Sequence, residues 1–242
     1  MKSLLSFQFR DFCSRVVELF NVLTKTYGEK LTCSQLNREL DNVFNQQYDW
    51  TAETSFEYGG TRQTGYRSKQ LNDITCLVCA PAHDLLDESS NAAQRSGGRS
   101  AASVLEEIKN NFPTGQIRTL IPIAQSNPLG CFGPRGHFAL CEVDINDGKI
   151  STITLHDSKA GLVDAFYHGA EHLKEQFLAK ENLGLDKQFI LNTQHHGHQH
   201  LLNGNDCGRY TIYYANIIAE AGSLTDASVK AAREFFSPRS IR

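Results

Sequence analysis

The amino-acid sequence predicts an α+β domain in which helices pack on a largely central sheet, preceded by a helical segment. Three observations carry this prediction. Apolar runs of strand length lie between stretches of helical periodicity, with helices on both sides in sequence. Two of those runs, His137 to Val143 and Ile150 to Leu155, flank Asn146-Asp147-Gly148, a strong turn signal, and so form a hairpin. A glycine-bearing polar segment, Asn203 to Asp206, then opens into a helix whose buried face is Tyr210, Tyr213, Tyr214, Ile217 and Ile218.

The elements follow in order. Phe9, Phe12, Val16, Leu19, Phe20, Leu23 and Tyr27 recur at helical spacing and stop at Gly28, a residue suited to a C-cap. Thr32 with Gln35 forms a capping box for a second helix, whose Leu36, Leu40, Val43 and Phe44 share one face. Residues 45 to 68, polar and aromatic with Trp50 and the pair Gly59-Gly60, read as a linker into the main domain. The chain thus divides into an N-terminal helical extension, 1–58, and a main domain, 59–242. Residues 71 to 87 read as a helix, Ser89 to Ser100 as a surface loop and Ala101 to Asn110 as a helix. Thr119 to Ala124 reads as a buried strand in which Pro122 requires an edge or a bulge. Beyond the hairpin come a helix over Leu162 to Leu178, a strand at Phe189 to Leu191, a His-rich polar segment, the Tyr-rich helix and a closing helix over Ala227 to Phe236.

Composition bounds the function classes. Hydrophobic residues make up 40% and charged residues 21% of the 242, as in an ordinary globular protein. A net charge of −3 and a pI near 6.3 provide no electrostatic footprint for nucleic acid, and no Lys/Arg block suits an anionic membrane. Gln8, Arg10 and Asp11 interrupt the apolar Leu4, Leu5 and Phe7, so no Sec signal is expected, nor any membrane span. Seven cysteines without framework spacing fit a reducing compartment, and the site of action is expected to be cytosolic.

If the hairpin strands pair symmetrically about Asp147, the residue facing His137 is Asp157, and opposed Cβ atoms lie about 4.5 to 5.5 Å apart. An imidazole held in one tautomer by a carboxylate is the base half of a catalytic triad. The nucleophile candidate is Cys207, delivered by Asn203-Gly-Asn-Asp-Cys-Gly208 to the first turn of an apolar helix. Unpaired N–H groups, the helix dipole and an adjacent imidazolium all favour a thiolate there, and the same N–H groups can hold an oxyanion. Gly208 leaves room for a substrate backbone.

Gly136-His-Phe-Ala-Leu-Cys-Glu-Val143, Leu155-His-Asp-Ser158 and Asn203-Gly-Asn-Asp-Cys-Gly208 resemble, in order and spacing, the three catalytic blocks of the clan CE cysteine proteases. Leu71-Asn-Asp-Ile74 and Leu120-Ile-Pro-Ile123 resemble two upstream blocks, the start of the family's first domain helix and the strand before its His strand. The resemblance spans roughly residues 60 to 220 and is greatest to bacterial effectors that act on host ubiquitin. It implies a papain-like or adenain-like fold, a central mixed sheet flanked by helices, for a catalytic domain over 59–242. It further implies a monomeric isopeptidase without metal or cofactor. Its partners are ubiquitin or a ubiquitin-like modifier and the protein conjugated to it. Cys207 is the nucleophile, His137 the base and Asp157 the orienter, while Phe138, Asp206 and Gly208 lie against substrate.

Two positions depart from the family. It usually carries Gln six residues before the nucleophile, where this chain has Leu201; Gln199, His200, Asn203 and the Cys207 main chain are the alternative oxyanion donors. Phe138 and Gln70 stand where the family tends to place Trp to clamp the substrate's glycine pair. Other features read as structural. His195, His196, His198 and His200 lack a partner at a familiar metal spacing and read as a solvated loop near the site. Cys76 and Cys79 read as a buried helical face, and Ser126 to Gly136 as a lip over the site or a long connection. The competing functions are an acetyltransferase of the related effector family, in which Glu is the commoner acid, and a non-catalytic ubiquitin-binding module.

Overall fold

The computed structural model describes residues 31–45, 47, 49–58, 61–85, 98–125, 137–159, 169–185, 188–197, 206–225 and 228. Helix α1 spans Cys33–Phe44, and β1 (Thr51–Tyr58), β2 (Thr61–Leu71), β3 (Ile74–Cys79) and β4 (Ala82–His83) follow. Helix α2 (Ala101–Asn111) leads to β5 (Gln116–Gln125), β6 (His137–Asn146) and β7 (Lys149–Asp157). Helix α3 (Gly169–Ala179), a 3₁₀ turn at Glu181–Leu183, β8 (Leu191–His195) and α4 (Cys207–Ala221) complete the described elements.

The strands form one mixed sheet in the order β1-β2-β3-β5-β6-β7-β8, with β4 pairing β5 beside the end of β3. Parallel pairs are β3 and β4 with β5, and β7 with β8; the other neighbours are antiparallel. Each parallel step needs a crossover, which α2 supplies between β4 and β5 and α3 between β7 and β8. Both crossover helices cover the same face: Leu105 and Ile108 of α2 and Leu173 and Phe177 of α3 pack with Leu77, Ile121, Val143 and Leu155. The opposite face, with Val78, Leu120 and Leu140, carries α1 through Leu36, Leu40 and Phe44 and α4 through Tyr210, Tyr214 and Ile218. Burying such a side chain fully stabilises the fold by about 1.5 to 3 kcal/mol, so each helix is fastened by several of them. The sheet between two helical layers is the expected α+β class.

The expected capping box of α1 is present, with Gln35 N donating to Thr32 Oγ1 at 3.2 Å and Thr32 N to Gln35 Oε1 at 2.8 Å. Helix α2, strands β5 to β7 and α4 also lie where expected. Five readings are corrected. Residues 45 to 68 are largely the hairpin β1–β2, in register Tyr58↔Thr61 across the Gly59-Gly60 pair, rather than a linker. Thr, Tyr and Phe flanking two glycines are a strand composition, and polarity had masked it. Residues 71 to 87 hold β3 and β4, not a helix, and Leu71-Asn-Asp-Ile74 is the β2–β3 turn, with Asn72 at φ +52°. Strand β3 is buried on both faces, so its apolar run is continuous and its period does not distinguish strand from helix. Pro122 sits inside a central strand, but between the last β3 pair, Val78↔Leu120, and the first β4 pair, Ala82↔Ile123, where that ladder is already broken. The last strand is Leu191–His195, two residues beyond its expected start. Cys76 and Cys79 lie on β3, in different core layers, instead of on one helical face. The helices read over residues 9–27 and 227–236, the loop 89–97, the lip 126–136 and the first part of Leu162 to Leu178 lie outside the described residues, Ser228 excepted.

Helix α1 is tied to the sheet by a buried cation. Arg67 of β2 is fully buried, with Nη2 donating to Asp41 Oδ1 at 2.7 Å and to Asn37 O and Oδ1 at 3.0 and 2.9 Å, and Nε to Asp41 Oδ1 at 3.0 Å. Asp41→Ala therefore destabilises the protein to denaturant by about 2 kcal/mol, less than the roughly 3 to 5 kcal/mol of a wholly buried pair because Asp41 keeps 30% exposure.

Candidate active site

One end of the sheet collects the catalytic candidates. Strands β5, β7 and β8 finish there and β6 begins there, so His137, the first residue of β6, lies beside Asp157, the last of β7. Helix α4 starts with Cys207 at this end and crosses the sheet against Phe138 and Leu140.

The expected symmetric register does not hold. The turn residues Asp147 and Gly148 have φ +47° and +70°, a primed two-residue turn, which pairs Asn146 with Lys149 and Ile145 with Ile150. Continued unbroken, that register would set Asp157 opposite Phe138 and turn its carboxylate to the wrong face. A bulge intervenes: Asp144 pairs with Thr152, leaving Ser151 as the extra residue, and the ladder then runs to Leu140↔His156. Ser151 Oγ donates to Asp144 O at 3.0 Å and Thr152 Oγ1 to Asp144 Oδ2 at 3.0 Å, which pins the bulge. Asp157 consequently falls opposite Ala139, on the face of His137 and diagonal to it, within reach of an imidazole.

His137 Nε2 lies 2.6 Å from Asp157 Oδ1, and Lys159 N donates to the same oxygen at 2.8 Å. Both side chains are buried, and so is Cys207. Burial alone would lower the pKa of His137, but the charge and hydrogen bond of Asp157 outweigh it, helped by hydrogen bonding and charge from Cys207, and the value stands above the ordinary one. Burial would likewise raise Asp157, yet the His137 charge, its hydrogen bond and the Lys159 N–H hold it below the usual carboxylate range. The pair is thus an imidazolium and a carboxylate over the mildly acidic range. With Nε2 engaged by Asp157, Nδ1 is the nitrogen left to exchange a proton with the thiol.

Cys207 opens α4, where first-turn N–H groups have no intrahelical acceptor. Asp206, the N-cap, makes no side-chain cap bond; its carboxylate accepts from Arg209 Nη1 at 2.7 Å instead. N–H groups in the first turn of a helix are of the kind that can hold an oxyanion. Gln199, His200, Leu201 and Asn203 lie outside the described residues. Gly208 faces α1: a Cβ there would approach Leu31 and Leu36 Cδ1 to 3.3 Å, so the room it leaves is occupied by α1 packing. Phe138 is buried beneath α4.

Sequence reasoning missed the roles of four residues around the site. His196 N donates to Asp157 O at 2.8 Å, and its ring stacks on His156, which in turn pairs with Glu142 at 2.8 Å. The His-rich stretch is thus partly a structural tie, though His195 is exposed as a solvated residue would be. Gln125 closes β5 as the Cα partner of His137, and no motif marks it. Three other cysteines are of a different kind: burial pushes the Cys76 and Cys79 thiols up to about 12 and Cys141 higher still, so they are poor nucleophiles. Among the described residues no three His, Cys, Asp or Glu are grouped to hold a metal ion, and no helix is long and apolar enough to cross a membrane.

The raised His137 stabilises the fold below its ordinary value of 6.5 and loses that contribution as pH rises through the folded value. The lowered Asp157 stabilises it above 3.8 and loses that contribution as pH falls through its folded value. In Asp157→Asn the carboxylate charge that opposes burial is gone and only the smaller raising effect of Cys207 remains, so an imidazole NMR titration finds His137 above 6.5 in the wild-type protein and lower in the variant. Deleting Ser151 turns Asp157 to the other face and gives the same downward shift.

No protein-family model matches the chain, and no curated protein does. Among solved structures it is similar to the crystal structure of the Legionella pneumophila effector protein RavZ, residues 1–487, with a TM-score of 0.51 and 16% identity. The alignment covers 82% of this chain and 59% of that one. At this identity the likeness is one of fold, and the fold is papain-like: a central mixed sheet flanked by helices, with the candidate residues gathered at one end of it.

Proposed function

We propose that this chain is a cysteine isopeptidase of the clan CE type that removes ubiquitin or a ubiquitin-like modifier from substrate lysines, working as a bacterial effector in the host cytosol. The observation that carries the reading is the buried His137–Asp157 pair at 2.6 Å, whose ring also feels Cys207 at the start of α4. The fold likeness to a Legionella effector supports an effector cysteine protease, and the three sequence blocks support the modifier as substrate.

In this reading the Cys207 thiolate attacks the carbonyl carbon of the modifier's C-terminal glycine while the oxyanion rests on N–H groups of the first turn of α4. As the C–N bond breaks, His137 passes its proton to the lysine amine. A water then attacks the thioester carbonyl, giving its proton to His137; the C–S bond breaks and the modifier leaves as a free carboxylic acid. Asp157 keeps the ring in one orientation and stabilises its protonated form through both steps.

Ubiquitin, SUMO and other modifier probes bearing a C-terminal electrophile test the reading. The wild-type chain forms a covalent adduct with one of them and Cys207→Ala forms none. Asp157→Asn slows labelling on the order of 10²- to 10⁴-fold. A well-folded wild-type protein that labels with no probe contradicts the proposal and turns attention to acetyl-coenzyme A dependence or to plain modifier binding.

A further inference from the structure

Three neighbouring strands each end the site layer with a polar residue: Gln125 on β5, His137 on β6 and Asp157 on β7. Gln125 is the direct register partner of His137, so the two side chains leave the same face with Cβ atoms about 4.5 to 5.5 Å apart. His137 therefore stands between a carboxylate that holds it and an amide on its other side. That amide is anomalous. Gln125 is 1% exposed, yet among the described residues neither Nε2 nor Oε1 has a hydrogen-bond partner. A buried, unsatisfied amide is costly and rare, and a long apolar residue would fill the space without that cost.

The neighbour across from it has been cleared to make room. A Cβ on Gly169, the first described residue of α3, would sit 2.0 Å from Gln125 Nε2 and 2.4 Å from Cδ. No real Cβ tolerates such a contact, so the amide holds its place only because position 169 is glycine. A side-chain amide offers an NH2 donor and a carbonyl acceptor side by side, so it can donate to a backbone carbonyl or accept from a backbone N–H.

We propose that Gln125 is a substrate-positioning residue, its side-chain amide hydrogen-bonding a peptide group of the modifier's tail beside His137, with Gly169 as the residue that keeps the amide in place. The inference rests on the protease reading above. It explains the unsatisfied amide as one whose partner arrives with the substrate. Enclosure at this depth also favours a tail of glycines, since a backbone without Cβ atoms approaches most closely.

The test compares Gln125→Leu, Gly169→Ala and the double variant in labelling by whichever modifier probe reacts with the wild-type chain, with iodoacetamide alkylation of Cys207 and thermal unfolding measured alongside. Gln125→Leu is expected to slow probe labelling about 10- to 100-fold, through weaker probe binding, while iodoacetamide reactivity is unchanged and Tm is unchanged or higher. Gly169→Ala should reproduce the labelling loss by displacing the amide, and the double variant should be no slower than Gln125→Leu alone, because both changes act through one group. Equal labelling of wild type and Gln125→Leu overturns the inference, as does a parallel loss of iodoacetamide reactivity, which would mark the residue as support for the thiol. Failure of the wild-type chain to label with any modifier probe overturns the protease reading instead.

Discussion

The pairing of β6 with β7 is the constraint on which the candidate site depends. A two-residue primed turn sets one parity for the ladder, and that parity would aim Asp157 away from His137. One extra residue, Ser151, held by its hydroxyl to the Asp144 carbonyl, reverses the parity for every residue beyond it. Because side chains alternate strictly along a strand, the correction is all or none. A 2.6 Å contact between the ends of two strands is thus decided near their turn, at the opposite end of the hairpin.

The third catalytic candidate is brought in by packing. Helix α4 lies across β6 with Tyr210, Tyr214 and Ile218 buried, and α1 approaches it closely at Gly208. Helix α1 in turn is fastened to β2 through Arg67 and Asp41. The position of Cys207 is therefore shared between the two helices of one layer, whereas His137 and Asp157 belong to the sheet. Both supports are rigid elements, which suits a site whose groups must meet within a few tenths of an ångström.

Burial has opposite effects on the thiols and on the pair. It raises Cys76, Cys79 and Cys141 and leaves them inert, while at the sheet end the mutual attraction of His137 and Asp157 exceeds the desolvation that acts on each. The same end of the sheet carries the unsatisfied amide of Gln125. Polar groups that a folding optimum would avoid are concentrated where chemistry is expected, as in a fold that gives up some stability for function.

The sequence by itself determined the α+β class, the capping box of α1, the β6–β7 hairpin and the start of α4 at Cys207, because each rests on local chemistry: a cap, a turn, a period; it named the His and Asp that meet, but through a register that the bulge replaces. It did not distinguish β3 from a helix, since a strand buried on both faces has no alternation to read, and polarity hid the β1–β2 hairpin. Only the tertiary structure decided that β1 and β2 extend the sheet, that the hairpin carries a bulge, that the space at Gly208 belongs to α1, and that Gln125 stands beside His137. Those facts arise from pairings between residues distant in the chain, whose register and packing are settled by all their neighbours at once.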